Sequence, residues 1–408
     1  MVFEGFIRLI SASHMLSISA TQFFLAGLML YTFYMFYKKQ YVWSDFPYRY
    51  FFASLIFFSM LSVFAGVDVK HSLPKLFNWW LYFFFIAMFL WALKRDILPI
   101  VTLYTVIGAD VASIYCLYQF FSAGVARAQG FFAHPLTFGN TSSMVFCLIL
   151  ACLATRSYRQ RKELWFLVVS GALILTALFV SVARGPMLAT LATIFIMMPI
   201  FYRVKGVVAS GIIVVLFLGL VVAIPDARVR YAEMVDNSWT DPDTAIGVRI
   251  PLWKASLEII GDYPLFGIGE RNFRQVARQY IGGSLHTMAH AHNAFLHFAL
   301  THGLIAFSVL VALMVKLLYD TLPGALRREP VAFMAVSVLI VFLLEGLTEN
   351  TIGDSEVAML FYYLMGTLCG TLYRKGLAGP ANKRTTSVED PHDDFEVNAS
   401  APFNLLEK

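Results

Sequence analysis

Apolar residues occur along this chain in long runs rather than as narrow stripes. Eleven runs cover about residues 15–37, 50–66, 77–93, 97–121, 136–155, 164–182, 185–202, 206–224, 293–318, 333–347 and 357–373. A helix needs about 20 mainly apolar residues to cross the hydrocarbon core of a bilayer, so each run predicts a membrane-spanning helix. Short polar stretches separate them, except for one long polar interruption from about Asp226 to His290. The beginning poses a geometric problem. At 1.5 Å per residue a helix over the first 37 residues is about 55 Å long, short of two hydrocarbon passes and a turn. Either the number of spans is odd, or the first helix is short or missing from this start site. Glu4, Arg8 and His14 break the early apolar stretch and no small-residue cleavage motif follows, so no cleaved signal is expected.

Within the polar interruption, Asp236-Asn-Ser-Trp-Thr-Asp-Pro-Asp243 reads as a turn region and about Val248 to Gly261 as a helix, with Pro251 in its first turn. Trp253, Leu257 and Ile260 recur at helical spacing, and Arg249 lies four residues before Trp253. This helix is expected on the membrane surface, holding its guanidinium over the bundle. Residues 262–269 end it with Pro and Gly turn signals. The chain thus divides into membrane helices over 1–224, a large loop over 225–291, further membrane helices over 292–374 and a tail over 375–408. The tail is polar without apolar periodicity and is expected to be disordered. There is no internal repeat.

Composition agrees with the pattern. Hydrophobic residues make up 59% and charged residues 14% of the chain, and the mean hydropathy is +0.68. A soluble domain has about 45–50% apolar and about 25% charged residues. The predicted fold class is therefore an all-α polytopic membrane protein. Cys116, Cys147, Cys152 and Cys369 all fall inside apolar runs, where they read as packing residues. Net charge, +5, matters by location. Lys and Arg accumulate on alternate loops, at 38, 39 and 49, 94 and 95, 156–162, 203 and 205, 327 and 328, and 374 and 375. That side is expected to be cytoplasmic. The opposite short loops carry only Lys70, Lys75, Arg127 and Arg184, which places the large loop and its chemistry on the periplasmic face of a bacterial inner membrane. No nucleic-acid partner is implied; the lipids around the spans are.

Candidate chemistry gathers at the end of the large loop, where His290-Ala-His292-Asn293 meets the next apolar run. An imidazole at a membrane boundary suits proton transfer near neutral pH. It also suits an interfacial anchor or a packing donor, and His286, His290, His297 and His302 fit those structural roles better than His292 does. Arg184 occupies a short turn between two apolar runs on the outer side, where the charge bias disfavours cations. Its bland alternative is a snorkelling anchor. Arg249 and Arg127 are further outer-side guanidinium groups, Arg127 the weakest of the three. Always-ionised forks at 184 and 249 suit a diphosphate. Asp241-Pro-Asp243 raises a metal, but Asp-Pro-Asp is strong turn chemistry and no ligand cluster accompanies it. Neither metal nor cofactor is expected. Glu345, Glu349 and Asp354 fit either the orientation of an acceptor or a solvated loop.

The order His292-Asn293, nine residues, Gly303, preceded by Arg249-Ile-Pro-Leu-Trp253 in the large loop and by Arg184 at an outer turn, resembles the O-antigen ligase family within the O-antigen ligase and polymerase superfamily. The matching stretch runs from about Arg127 to Gly303, a glycine expected to let neighbouring helices approach closely at that level. The resemblance implies a GT-C-like bundle of about 11–12 transmembrane helices with both ends cytoplasmic. It also implies a metal-independent glycosyltransferase that moves a glycan from undecaprenyl diphosphate to a lipid A-core sugar. On it, His292 matches the catalytic base and Arg184 and Arg249 the diphosphate-binding arginines, with Arg127, Asn293, Trp253 and His290 as possible support. An O-antigen polymerase or a protein O-oligosaccharyltransferase uses nearly the same residues. A lipid-linked glycan transporter is the non-enzymatic alternative, and it needs ionisable groups deep in its spans, where this chain offers little beyond Asp110.

Overall fold

The structure is a computed structural model describing residues 2–223, 228, 229, 247–281 and 289–380; among them all regular structure is helical. In chain order the helices are α1 (Val2–Ser13), α2 (Ile18–Tyr37), α3 (Arg49–Ala65), the one-turn α4 (Val69–Ser72), α5 (Tyr82–Lys94), α6 (Leu98–Phe121), α7 (Pro135–Ala154) and α8 (Arg161–Val180). They continue with α9 (Arg184–Tyr202), α10 (Val204–Ala223), α11 (Arg249–Asp262), α12 (Phe273–Ile281), α13 (Ala294–Leu326), α14 (Pro330–Gly346) and α15 (Ser355–Arg374). Every one of the eleven apolar runs coincides with a helix. Among the described residues, seven helical stretches are long and apolar enough to cross a membrane, and α3, α14 and residues 204–219 are shorter apolar helices. The chain is an all-α polytopic membrane protein.

The difficulty at the start is settled by a short first helix. At 12 residues, α1 is about 18 Å long, too short to cross. It lies antiparallel to α2, with Thr21 Oγ1 3.0 Å from Ser13 Oγ. Phe3 stacks on Trp91 at 3.8 Å, beneath the Arg95 guanidinium, so α1 starts near the basic loop between α5 and α6 and turns back partway through the bundle. There Ser11 bonds Tyr363 Oη at 2.6 Å and His14 is buried against Phe84 and Tyr363.

The centre of the bundle is built from α5, α7, α14 and α15, whose side chains are mostly buried. Gly366 and Gly370 bring α15 onto α5 so closely that a Cβ on either would sit 2.5 and 2.4 Å from the Phe85 and Phe89 carbonyl oxygens. That is the small-residue contact by which helices associate in lipid, where apolar burial supplies little driving force. The cysteines are buried thiols, as expected. Asp110 sits midway along α6, where Ser170 Oγ donates to it at 2.7 Å; other ionisable groups inside the spans lie nearer helix ends. Lys316 and Asp320 pair at 2.6 Å beside Tyr48 and Tyr373, near the basic end, and Glu345 accepts from Ser143 near the opposite end.

Two expectations about the large loop need correction. Its helix runs over 249–262 as expected, but the buried stripe is Leu252, Ala255, Ser256 and Ile259, while Leu257 is 60% exposed. The helix packs on α12 and α13, which selects the neighbouring face. Gly303 does not admit a neighbouring helix. It breaks α13 with φ 79° and ψ 168°, and the loop docks its backbone into the break: Ile268 N donates to Leu300 O at 2.8 Å, Gly269 N to Thr301 O at 3.0 Å and Leu304 N to Pro264 O at 2.7 Å. A Cβ on Gly303 would lie 2.1 Å from the Leu265 carbonyl oxygen. The turn at 236–243 with Asp241 and Asp243, His286, and the tail from 381 lie outside the described residues.

Candidate active site

At the end of the bundle opposite the basic loops, a cavity of about 400 Å³ is lined by Arg127, His134, Arg184, Arg249, Thr348 and Glu349 over a floor of Leu136, Leu188 and Leu344. Arg127, Arg184 and Arg249 lie far apart in sequence, and folding brings them to one wall-to-wall space. Helix ends reinforce their charge. Pro135 opens α7, Arg184 is the first residue of α9 and Arg249 the first of α11, so three helix N termini, each a positive dipole end, lie at this cavity. Helix N termini bind anions for that reason. His134 caps α7, its Nδ1 accepting from Leu136 N at 3.3 Å.

The turn that delivers Arg184 is strained. Val182, which lines the cavity, has φ 53°, a left-handed conformation that a β-branched residue rarely adopts. Such a residue costs about 1–3 kcal/mol and persists where surrounding structure demands it. Here the demand is a very tight link from α8 to α9, which aims α9 head-on at the cavity.

His292 stands one side chain behind the cavity wall. Its Nδ1 lies 3.1 Å from Glu349 Oε2, and the other oxygen of the same carboxylate receives Arg249 Nη2 at 2.5 Å. Glu349 is 5% exposed and therefore fixes both partners with little freedom of its own. An ionised carboxylate only accepts, so this contact places the proton on Nδ1 and leaves Nε2 as the acceptor. His292 itself has φ 48°, a second strained residue at the site.

The remaining sequence candidates act as scaffolding. Asn293 is the N-cap of α13, its Oδ1 accepting from Phe295 N and Leu296 N at 3.0 Å each, while Nδ2 donates to Leu347 O at 3.1 Å. Trp253 Nε1 donates to Ala291 O at 3.0 Å and so ties α11 to the strained dipeptide. His290 Nδ1 accepts the His292 backbone N–H at 3.3 Å. Burial, with the His292 ring centroid 4.3 Å away, lowers the His290 pKa to about 4, so it is neutral near pH 7 and stays an acceptor.

Residues 169–311 match the family model described as O-antigen ligase. Over those residues the chain is similar to the O-antigen ligase and polymerase superfamily. The ligase-family segment starts within α8 and ends within α13, and it contains Arg184, Arg249, His292 and Gly303. Members of this family are glycosyltransferase-like enzymes acting on lipid-linked glycans. No curated protein matches it. Arg127 and Glu349 lie outside the ligase-family segment yet line the same cavity as the arginines within it. Glu349 is the residue that sequence reasoning undervalued. Fifty-seven positions separate it from His292, and its only visible signal was an acidic residue at the end of an apolar run.

Proposed function

We propose that the chain is an O-antigen ligase, moving O-antigen polysaccharide from undecaprenyl diphosphate to a sugar hydroxyl of lipid A-core on the periplasmic face. The observation that supports this most is the convergence of three guanidinium groups and three helix N termini on one cavity, with a carboxylate-oriented imidazole against its wall. A diphosphate in that cavity has its charge met by Arg184, Arg249 and Arg127 through bidentate, charge-assisted bonds. His292 Nε2 takes the proton of the acceptor hydroxyl. The hydroxyl oxygen bonds to the anomeric carbon as the bond from that carbon to the diphosphate oxygen breaks, inverting its configuration. The diphosphate leaves with the electron pair, and the arginines stabilise the charge that grows there. Glu349 holds the imidazole in the required tautomer, as the orienting acid does in triad enzymes. No step needs a metal, because the cations that stabilise the leaving group are side chains.

Lipopolysaccharide from a deletion strain tests the reading. A ligase leaves lipid A-core bare while polymer accumulates on undecaprenyl diphosphate. Core carrying a single repeat unit instead makes the chain a polymerase, and unchanged lipopolysaccharide makes the acceptor something else, such as a protein. His292→Ala separates an enzyme from a carrier: an enzyme loses transfer while still binding donor, and a carrier keeps its flux.

A further inference from the structure

A second cavity, of about 50 Å³, lies across the Glu349–Asn350 peptide from the first. Glu349 lines the large cavity and its chain neighbour Asn350 the small one. Lys75, Glu270, His297 and His302 contribute polar atoms to it, and Trp79 and Tyr82 contribute rings. Glu270 Oε1 is 3.5 Å from His302 Nε2. His297 is 8% exposed, and its Nδ1 is buried without a hydrogen-bond partner, as is Trp79 Nε1. Two buried polar atoms left unmatched on residues of one small cavity each carry a desolvation cost of about 1–3 kcal/mol, which a polar ligand removes. The His290 ring links the two sites, 4.3 Å from the His292 ring and 6.2 Å from the His297 ring that lines the small cavity.

A lining of aromatic faces with closely set donors and acceptors suits a sugar, which presents C–H faces to rings and hydroxyls to polar groups. The space is small, and it lacks the arginines that line the larger cavity. We propose that this cavity is the acceptor subsite, in which hydroxyls of the acceptor glycan bind His297, Trp79 and Lys75 while the reacting sugar extends toward His292. The proposal rests on the glycosyl-transfer reading above and adds to it which side of the base the acceptor approaches from. It also gives a use to Lys75, a cation on an outer loop that the diphosphate site leaves aside.

The test uses the full-length protein in nanodiscs with undecaprenyl-diphosphate-linked polysaccharide as donor and purified lipid A-core as acceptor. His297→Phe and Lys75→Ala are expected to raise KM for lipid A-core about tenfold while KM for the donor stays at the wild-type value. Lipid-free core oligosaccharide is expected to compete with acceptor in the wild type and to lose that competition in both variants. Unchanged acceptor KM in both variants, or a donor KM that rises equally, overturns the proposal. Unchanged donor binding certifies that each variant is folded, and Lys75→Ala, on a half-exposed residue, stands in should His297→Phe misfold. Direct binding of core oligosaccharide to His292→Ala protein keeps this test apart from the catalytic reading: binding that depends on Lys75 supports the subsite even if His292 proves not to be the base.

Discussion

Glu349 spends both carboxylate oxygens on residues from the large loop, one on the Arg249 guanidinium and one on the His292 ring. Replacing it by Gln leaves a neutral amide that cannot balance an imidazolium and presents Arg249 with no charge. Glu349→Gln is therefore expected to lower kcat for glycan transfer about 100-fold, the scale of positioned acid–base catalysis, with a smaller change in donor KM; equal loss in both would make Glu349 a donor ligand instead. Arg184 differs in kind. Arg184→Lys keeps a charge at the start of α9 but removes the planar fork, so donor KM is expected to rise roughly tenfold while kcat at saturating donor holds. His290 gives the site a pH dependence of stability. Its folded pKa, lowered to about 4 from an ordinary 6.5 by burial, means that the unfolded chain takes up a proton first as pH falls. The contribution is complete above pH 6.5 and is lost progressively down to about pH 4. Thermal melting between pH 7 and pH 4.5 checks this, and His290→Gln is expected to flatten the profile.

At the scale of elements, the helices were largely legible and their ends were not. Lipid requires each span to satisfy its own backbone, so uninterrupted apolar runs forecast α2, α3, α5 to α10 and α13 to α15 without tertiary knowledge. The short α1 escaped because Glu4, Arg8 and His14 lower its hydropathy, and its packing against α6 and α15 is a fact of assembly. The face of α11 was misjudged for a similar reason: Trp253 and Leu257 are the larger apolar residues, but the stripe that meets α12 and α13 runs through smaller ones. The break at Gly303 was visible only as a glycine. Gly303→Ala is expected to cost at least about 1–3 kcal/mol from the left-handed backbone alone, with the clash against the Leu265 carbonyl added. A drop in melting temperature of the purified protein measures it, and an unchanged melting point would mean that the loop docks without this glycine.

Across the whole molecule, the candidate site was legible as a set of residue types in order and illegible as a partnership. Arg184, Arg249 and His292 were recoverable from their sequence settings and from a family resemblance, whereas their arrangement around Glu349 depends on how α14 ends beside the start of α13. The convergence of three helix N termini on one cavity is likewise a property of the assembled bundle. The backbone seam between residues 264–269 and the interrupted helix bears on how such a molecule moves. A segment stitched into a span by three main-chain bonds is no flap on a hinge: whatever swings the Arg249 end of α11 also pulls on the buried half of that span.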